Sequence, residues 1–133
     1  MIFVDTSVWS LALRRDGQRN EPHVLRLTQA LETGESLYIT GLVLQELLQG
    51  FHGPKGKRAI LGRFSSLPVI APQRSDHIDA AELRNRCRRT GIQIGTIDAL
   101  IAHLCVRHGL LLLTTDQDFE KIKTVFPLRV WRS

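Results

Sequence analysis

The fold class this sequence predicts is α/β, with a mostly parallel sheet covered by helices on both faces. Short, fully apolar runs such as "IFV" and "GLLLL" alternate along the chain with longer segments of helical period. Strands buried on both faces read as continuous apolar runs, unlike the alternating strands of a half-solvated antiparallel sheet. The length, 133 residues, suits one domain spanning 1–133 with a real core and is too short for two.

Each element follows from its own pattern. "IFV" is a buried strand ending on Asp5. "SVWSLALRR" is helical, with Val8, Leu11 and Ala12 on one face and Trp9 and Leu13 beside them. "DGQRN" breaks the chain. "EPHVLRLTQALETG" is a helix with Pro22 near its first turn, Leu27 and Leu31 at i,i+4, and Gly34 as its stop. "SLYIT" is a strand, and Gly41 leads into "LVLQELLQGF", a helix apolar almost all round and so expected to be largely buried. "GPKGKRAILGRFSSL" reads as a basic loop passing into a short helix. "PVIAP" is a brief strand bounded by prolines. "SDHIDAAELRNRCRRTG" is a longer helix with Ser75 as N-cap and Gly91 as its end. "TIDALIAHLCVRHG" is amphipathic, with Ile97, Leu100, Ile101, Leu104 and Cys105 as its apolar face. "LLLLTTD" is a buried strand, "DFEKIKTVF" a short helix and "PLRVW" a final strand.

With 43% apolar and 23% charged residues the chain has the composition of an ordinary soluble globule. The first strand begins at Ile2, which leaves no room for a signal peptide, and no apolar stretch approaches the ~20 residues of a membrane helix. Cys87 and Cys105 match no metal spacing, so free thiols in a reducing cytoplasm are expected. The net charge of +5 favours polyanions. Much of the excess is arginine, including Arg84, Arg86, Arg88 and Arg89 in "ELRNRCRR". A helix turns too fast for all four to face one strand of nucleic acid. Arg84 and Arg88, at i,i+4, are the candidate pair for phosphate contact, and a solvated helix face is the other reading of the run.

Four acids stand where apolar residues or polar caps would serve. Asp5 ends the first strand and Asp116 the "LLLLTT" strand, with Asp118 two residues on. Asp98 lies in the first turn of its helix. Glu46 has Leu42, Val43 and Gly50 as helical neighbours, so it has no obvious solvent face. Taken singly, Asp98 complements a helix dipole and Asp116 or Asp118 caps the "DFEKIK" helix. Taken together, strand ends and helix starts share one edge of a parallel sheet, so Asp5, Asp98 and Asp116 should converge there, with Glu46 in reach. Such a cluster repels itself unless a cation neutralises it. All-oxygen ligation suits Mg²⁺ or Mn²⁺. An acidic metal pocket beneath a basic rim is what a nuclease needs.

At these residues the chain resembles a PIN domain, and within that superfamily the VapC-type toxins of toxin–antitoxin pairs. The resemblance rests on "VDTSVW", Glu46 in "VLQELLQG", Asp98 in "GIQIGTIDALIAHLC" and Asp116 in "LLTTDQDFEKI", and it covers essentially the whole chain. It implies a three-layer α/β/α fold with a central sheet of about five strands. It also implies a Mg²⁺- or Mn²⁺-dependent endoribonuclease, a VapB-like antitoxin and a homodimer. Carried over by position, the catalytic acids are Asp5, Glu46, Asp98 and Asp116. Asp5, Asp98 and Asp116 hold the metal, and Glu46 does so directly or through water. Thr6, Ser7 and Thr115 would orient water or phosphate, with Asp118 as a helix cap.

Two other readings share the α/β sheet. A phosphate-receiver domain wants an adjacent acid pair after the first strand and a lysine ending the last, and this chain has Asp-Thr-Ser and "LRVWRS". A non-catalytic nucleic-acid-binding module is expected to have lost pocket acids, and all four are present.

Overall fold

A computed structural model describes residues 1–14 and 20–133. Among the described residues the sheet has four strands: β1 (Ile2–Val4), β2 (Leu37–Thr40), β3 (Val69–Ile70) and β4 (Leu111–Leu113). Their order is β3-β2-β1-β4, every neighbouring pair parallel. The expected fifth strand, "PLRVW", is reduced to a single parallel bridge between Val130 and Leu112. There the Trp131 N–H donates to Leu112 O at 2.9 Å.

The helices are α1 (Thr6–Leu13), α2 (Pro22–Thr33), α3 (Gly41–Gly50), α4 (Pro54–Phe64), α5 (Arg74–Arg89), α6 (Thr96–Arg107) and α7 (Asp118–Ile122). Parallel crossovers are right-handed. The steps β1 to β2 and β2 to β3 run one way across the sheet, which puts α1 to α4 on one face. The step from β3 back to β4 runs the other way and puts α5 and α6 on the opposite face. The strand order therefore reverses between β1 and β4, and open α/β sheets bind ligands at the carboxyl edge of such a reversal.

Burial explains the apolar runs. Phe3, Val4, Ile39, Leu112 and Leu113 are wholly buried, because β1, β2 and β4 are covered on both faces. Each such side chain contributes about 1.5–3 kcal/mol of transfer free energy. Glu21 opens α2 by accepting the N–H groups of His23 and Val24, and Gly34 closes it at φ 72°, a left-handed conformation that favours glycine. No helix among the described residues is long and apolar enough to cross a membrane.

Several local expectations are corrected. Gly53 and Pro54 open α4, an 11-residue helix, so the short helix expected after a basic loop starts earlier, because proline at the first position is pre-set for a helix. Ile60 and Phe64, one turn apart, bury its inner face. The α3 helix is not buried all round: Val43 and Leu47 form its inner row, and Glu46 points outward and is exposed. Ser75 does not cap α5. The helix begins at Arg74 after Gln73, whose N–H donates to Asp76 Oδ2 at 2.8 Å. The buried face of α1 is Val8 and Trp9, while Ala12 is exposed. Leu31 (47% exposed) and Ile97 (39%) lie outside the core. The end of "SVWSLALRR" and residues 16–19 of "DGQRN" lie outside the described residues.

Candidate active site

The acids gather at the β1/β4 reversal. Asp5 follows β1 directly, and its N–H donates to Leu113 O at 3.0 Å, which continues the ladder past the last strand residue. The pairing Val4↔Leu113 therefore sets Asp5 opposite Thr114. Both Thr114 Oγ1 (2.8 Å) and Ser7 Oγ (2.9 Å) donate to Asp5 Oδ2. No donor among the described residues is recorded for Oδ1.

The same two hydroxyls order the chain after β4. Thr115 N–H donates to Ser7 Oγ at 3.1 Å and Asp116 N–H to Thr114 Oγ1 at 3.0 Å. Each hydroxyl thus gives its proton to Asp5 and accepts a backbone N–H from the 115–116 segment. Asp5 and Asp116 are held in one hydrogen-bonded unit. At the next step Asp116 Oδ1 accepts the Asp118 N–H at 2.9 Å. The capping role expected of Asp118 therefore belongs to Asp116, because Asp118 is itself the first residue of α7 and cannot cap its own helix. Asp118 instead accepts from Lys121 Nζ at 3.1 Å.

Asp98 enters from the opposite face, in the first turn of α6. One carboxylate oxygen from each of Asp98, Asp116 and Asp118 lies within 4.8 Å of the others. Asp5 and Glu46 flank this trio. Burial pushes the Asp98 carboxyl up to about 6, and the charges of Asp116, Asp5, Asp118 and Glu46 push it the same way. Glu46 reaches the site edge from α3 and accepts Thr6 Oγ1 at 2.9 Å, which ties α3 to the start of α1. Asp98 and Asp116 thus meet together with Asp118, Asp5 is tied to the Asp116 segment through Ser7 and Thr114, and Glu46 stays exposed at the edge, near enough for its charge to act on Asp98.

Arg84 and Arg88 stand on α5 beside the segment that leads into α6, not on the acids themselves. Thr115 donates its backbone N–H to Ser7 Oγ. The hydroxyl on Asp5 is that of Thr114, which sequence reasoning missed because the β1–β4 register decides between them. Both cysteines are free and buried. Burial raises both thiols, with the Asp5 charge adding to the effect at Cys105, and leaves them inert.

A pH dependence follows for the metal-free protein. An acid whose folded value lies above its unfolded one binds more protons when folded, so stability falls as pH rises from 3.8 to about 6. The lowered carboxylates, Glu21, Glu35, Asp76 and Glu120, lose their stabilising effect only as pH falls below 4.5. Thermal melts in EDTA should give a lower midpoint at neutral pH than near pH 5, and Asp98→Asn should shrink that difference. An unchanged difference in Asp98→Asn would show that Asp98 is not strained.

A model of the PIN domain family matches residues 2–125. The chain belongs to that family. Among solved structures it is similar to VapBC2 from Rickettsia felis bound to a promoter DNA fragment (23% identity, TM-score 0.71, covering 99% of this chain and 100% of that one). It is similar also to FitAcB from Neisseria gonorrhoeae (23% identity, TM-score 0.71, covering 99% and 97%). A third is VapC20 of Mycobacterium tuberculosis, described as a Sarcin-Ricin loop cleaving toxin (20% identity, TM-score 0.67, covering 95% and 96%). At these identities the likeness is one of fold.

Proposed function

We propose that this chain is a Mg²⁺- or Mn²⁺-dependent endoribonuclease that acts in the cytoplasm as the toxin of a toxin–antitoxin pair. The convergence of five carboxylates on one sheet edge carries this reading. The donor set fits the ion. An octahedral Mg²⁺ holds oxygens at about 2.1 Å, so its ligand pairs stand roughly 3–4 Å apart. Asp98 and Asp116 place oxygens within 4.8 Å of each other, a spacing that needs to close only slightly, and an Asp118 oxygen lies equally near.

Asp5, Asp98 and Asp116 would hold the cation, with Glu46 joining directly or through water. Bound there, it supplies charge neutralisation at a phosphodiester and a more acidic water. The chain does the rest. Ser7 and Thr114 fix Asp5 through one oxygen and leave the other for the site. Thr6 holds Glu46 at the rim. Lys121 partly offsets the charge of Asp118.

The antitoxin reading is supported by a groove beside α1 and α2, lined by Trp9, Leu13, Val24, Leu25, Leu31 and Arg63. Trp9, one of its lining residues, keeps its Nε1 buried with no acceptor among the described residues. An amphipathic segment of a VapB-like partner would cover these apolar side chains.

Purified protein incubated with cellular RNA should cleave it with Mg²⁺ or Mn²⁺, stop with EDTA and leave 5′-phosphate ends. Binding without cleavage in any divalent ion favours the non-catalytic module. Harmless overproduction, with no partner recovered on co-expression with the neighbouring small open reading frame, sinks the toxin reading.

A further inference from the structure

Arg84 and Arg88 share a pocket of about 330 Å³ with Ile92, Gln93 and Ile94. Arg84 Nε–H donates to Ile94 O at 2.9 Å, which fixes the guanidinium while its two terminal nitrogens keep no recorded partner. No carboxylate among the described residues pairs with either arginine, and none lies three or four positions from them on α5. Two like charges at i,i+4 on a helix repel. One preset fork beside a second, exposed guanidinium is the geometry that a shared anion relieves, since guanidinium groups bind phosphate oxygens in pairs.

The position of the pocket selects the anion. Ile94 precedes Asp98 by four residues, so their Cα atoms lie within ~14 Å of each other. Gly95 caps α6 with no side-chain acceptor, which leaves the first-turn N–H groups to add to the positive field. We infer that Arg84 and Arg88 form a subsite for one backbone phosphate of single-stranded RNA, a few nucleotides from the bond placed over the acids. The inference rests on the ribonuclease reading for its choice of RNA. It assigns Arg84 as the fixed contact and Arg88 as the mobile one, both on the same phosphate.

Binding in EDTA, where no cleavage intervenes, tests it. A short fluorescent single-stranded RNA of mixed sequence is titrated at several salt concentrations. Arg88→Ala, on the exposed helix face, should weaken binding about ten-fold and flatten the log–log salt slope by ~0.7. Arg84→Ala should do the same, with a melting curve to confirm that losing the Ile94 bond leaves the fold intact. The double variant should flatten the slope no further than either single one. Arg89→Ala, outside the pocket, should change neither quantity.

An unchanged slope in Arg88→Ala, an equal loss in Arg89→Ala, or a double variant flatter by ~1.4 would overturn the shared-phosphate subsite. So would inorganic phosphate that displaces the RNA at matched ionic strength as well as unlabelled RNA does, since that marks a site for the free ion. Failure of metal-dependent cleavage alongside the expected slopes would remove the nuclease reading and leave the subsite standing.

Discussion

Asp5→Asn should lose at least about 10²-fold in kcat/KM for the proposed RNA cleavage, while the protein stays folded and, without metal, melts higher than the wild type. The fold survives because Asp5 uses only Oδ2 toward the protein, accepting Ser7 Oγ and Thr114 Oγ1. The amide oxygen of Asn can accept both hydroxyls, though more weakly than the carboxylate does. Its NH₂ then takes the place of Oδ1, a donor where a cation needs an acceptor. Removing this charge also relieves Asp98, whose carboxyl is raised in part by Asp5. Loss of activity with a higher metal-free midpoint separates a site effect from unfolding. Near-normal cleavage by a purified, metal-supplemented variant would sink the role given to Asp5.

The placement of Asp5, Asp98 and Asp116 was legible in the sequence for a physical reason. A continuous apolar run that stops on an acid marks a strand end, and parallel strands bring their ends to one edge. Register was not legible, because "LLLLTT" offers no signal that distinguishes a Val4↔Leu113 pairing from its neighbours. Thr114, which that register sets opposite Asp5, was therefore not named. Glu46 was misjudged through its neighbours. An apolar helix looks buried all round, but only one row of α3 faces the sheet. The "GPKG" stretch resembles a loop by composition, yet Gly53 and Pro54 are a helix start once Ile60 and Phe64 are seen to pack one turn apart. Asp76 left no trace at all. Its burial comes from the packing of α5 on α6, and none of its partners but Gln73 is near in sequence.

That buried acid carries the second large effect, far from the site. Asp76 is 1% exposed and accepts Gln73 N–H at 2.8 Å, His103 Nε2 at 2.9 Å and Arg107 Nη1 at 2.8 Å. Arg107 also donates to Gln73 Oε1 at 3.3 Å, which closes a ring between the start of α5 and the end of α6. Burial alone would raise the Asp76 carboxyl, but the Gln73 N–H, His103 and Arg107 outweigh it and hold it below the usual value. Its stabilising effect is therefore complete above the unfolded value of 3.8 and is lost as pH falls through the folded one.

Asp76→Ala strips the first turn of α5 of its acceptor and leaves two partners unmatched. It should cost about 2–4 kcal/mol at neutral pH, below the extreme for a buried pair because Arg107 can turn to solvent. For a chain of this size that lowers the melting midpoint by roughly 6–12 °C. Asp76→Asn keeps an oxygen for Gln73 N–H and should lose less. Arg107→Ala in the Asp76→Ala background should cost much less than in the wild type, because the pair acts as one unit. Metal affinity at the acids should not change, since this ring closes the opposite end of α6 from Asp98. Additive losses in the double variant, or an Asp76→Ala midpoint equal to that of the wild type, would show that the two helices are held together by their apolar contacts alone.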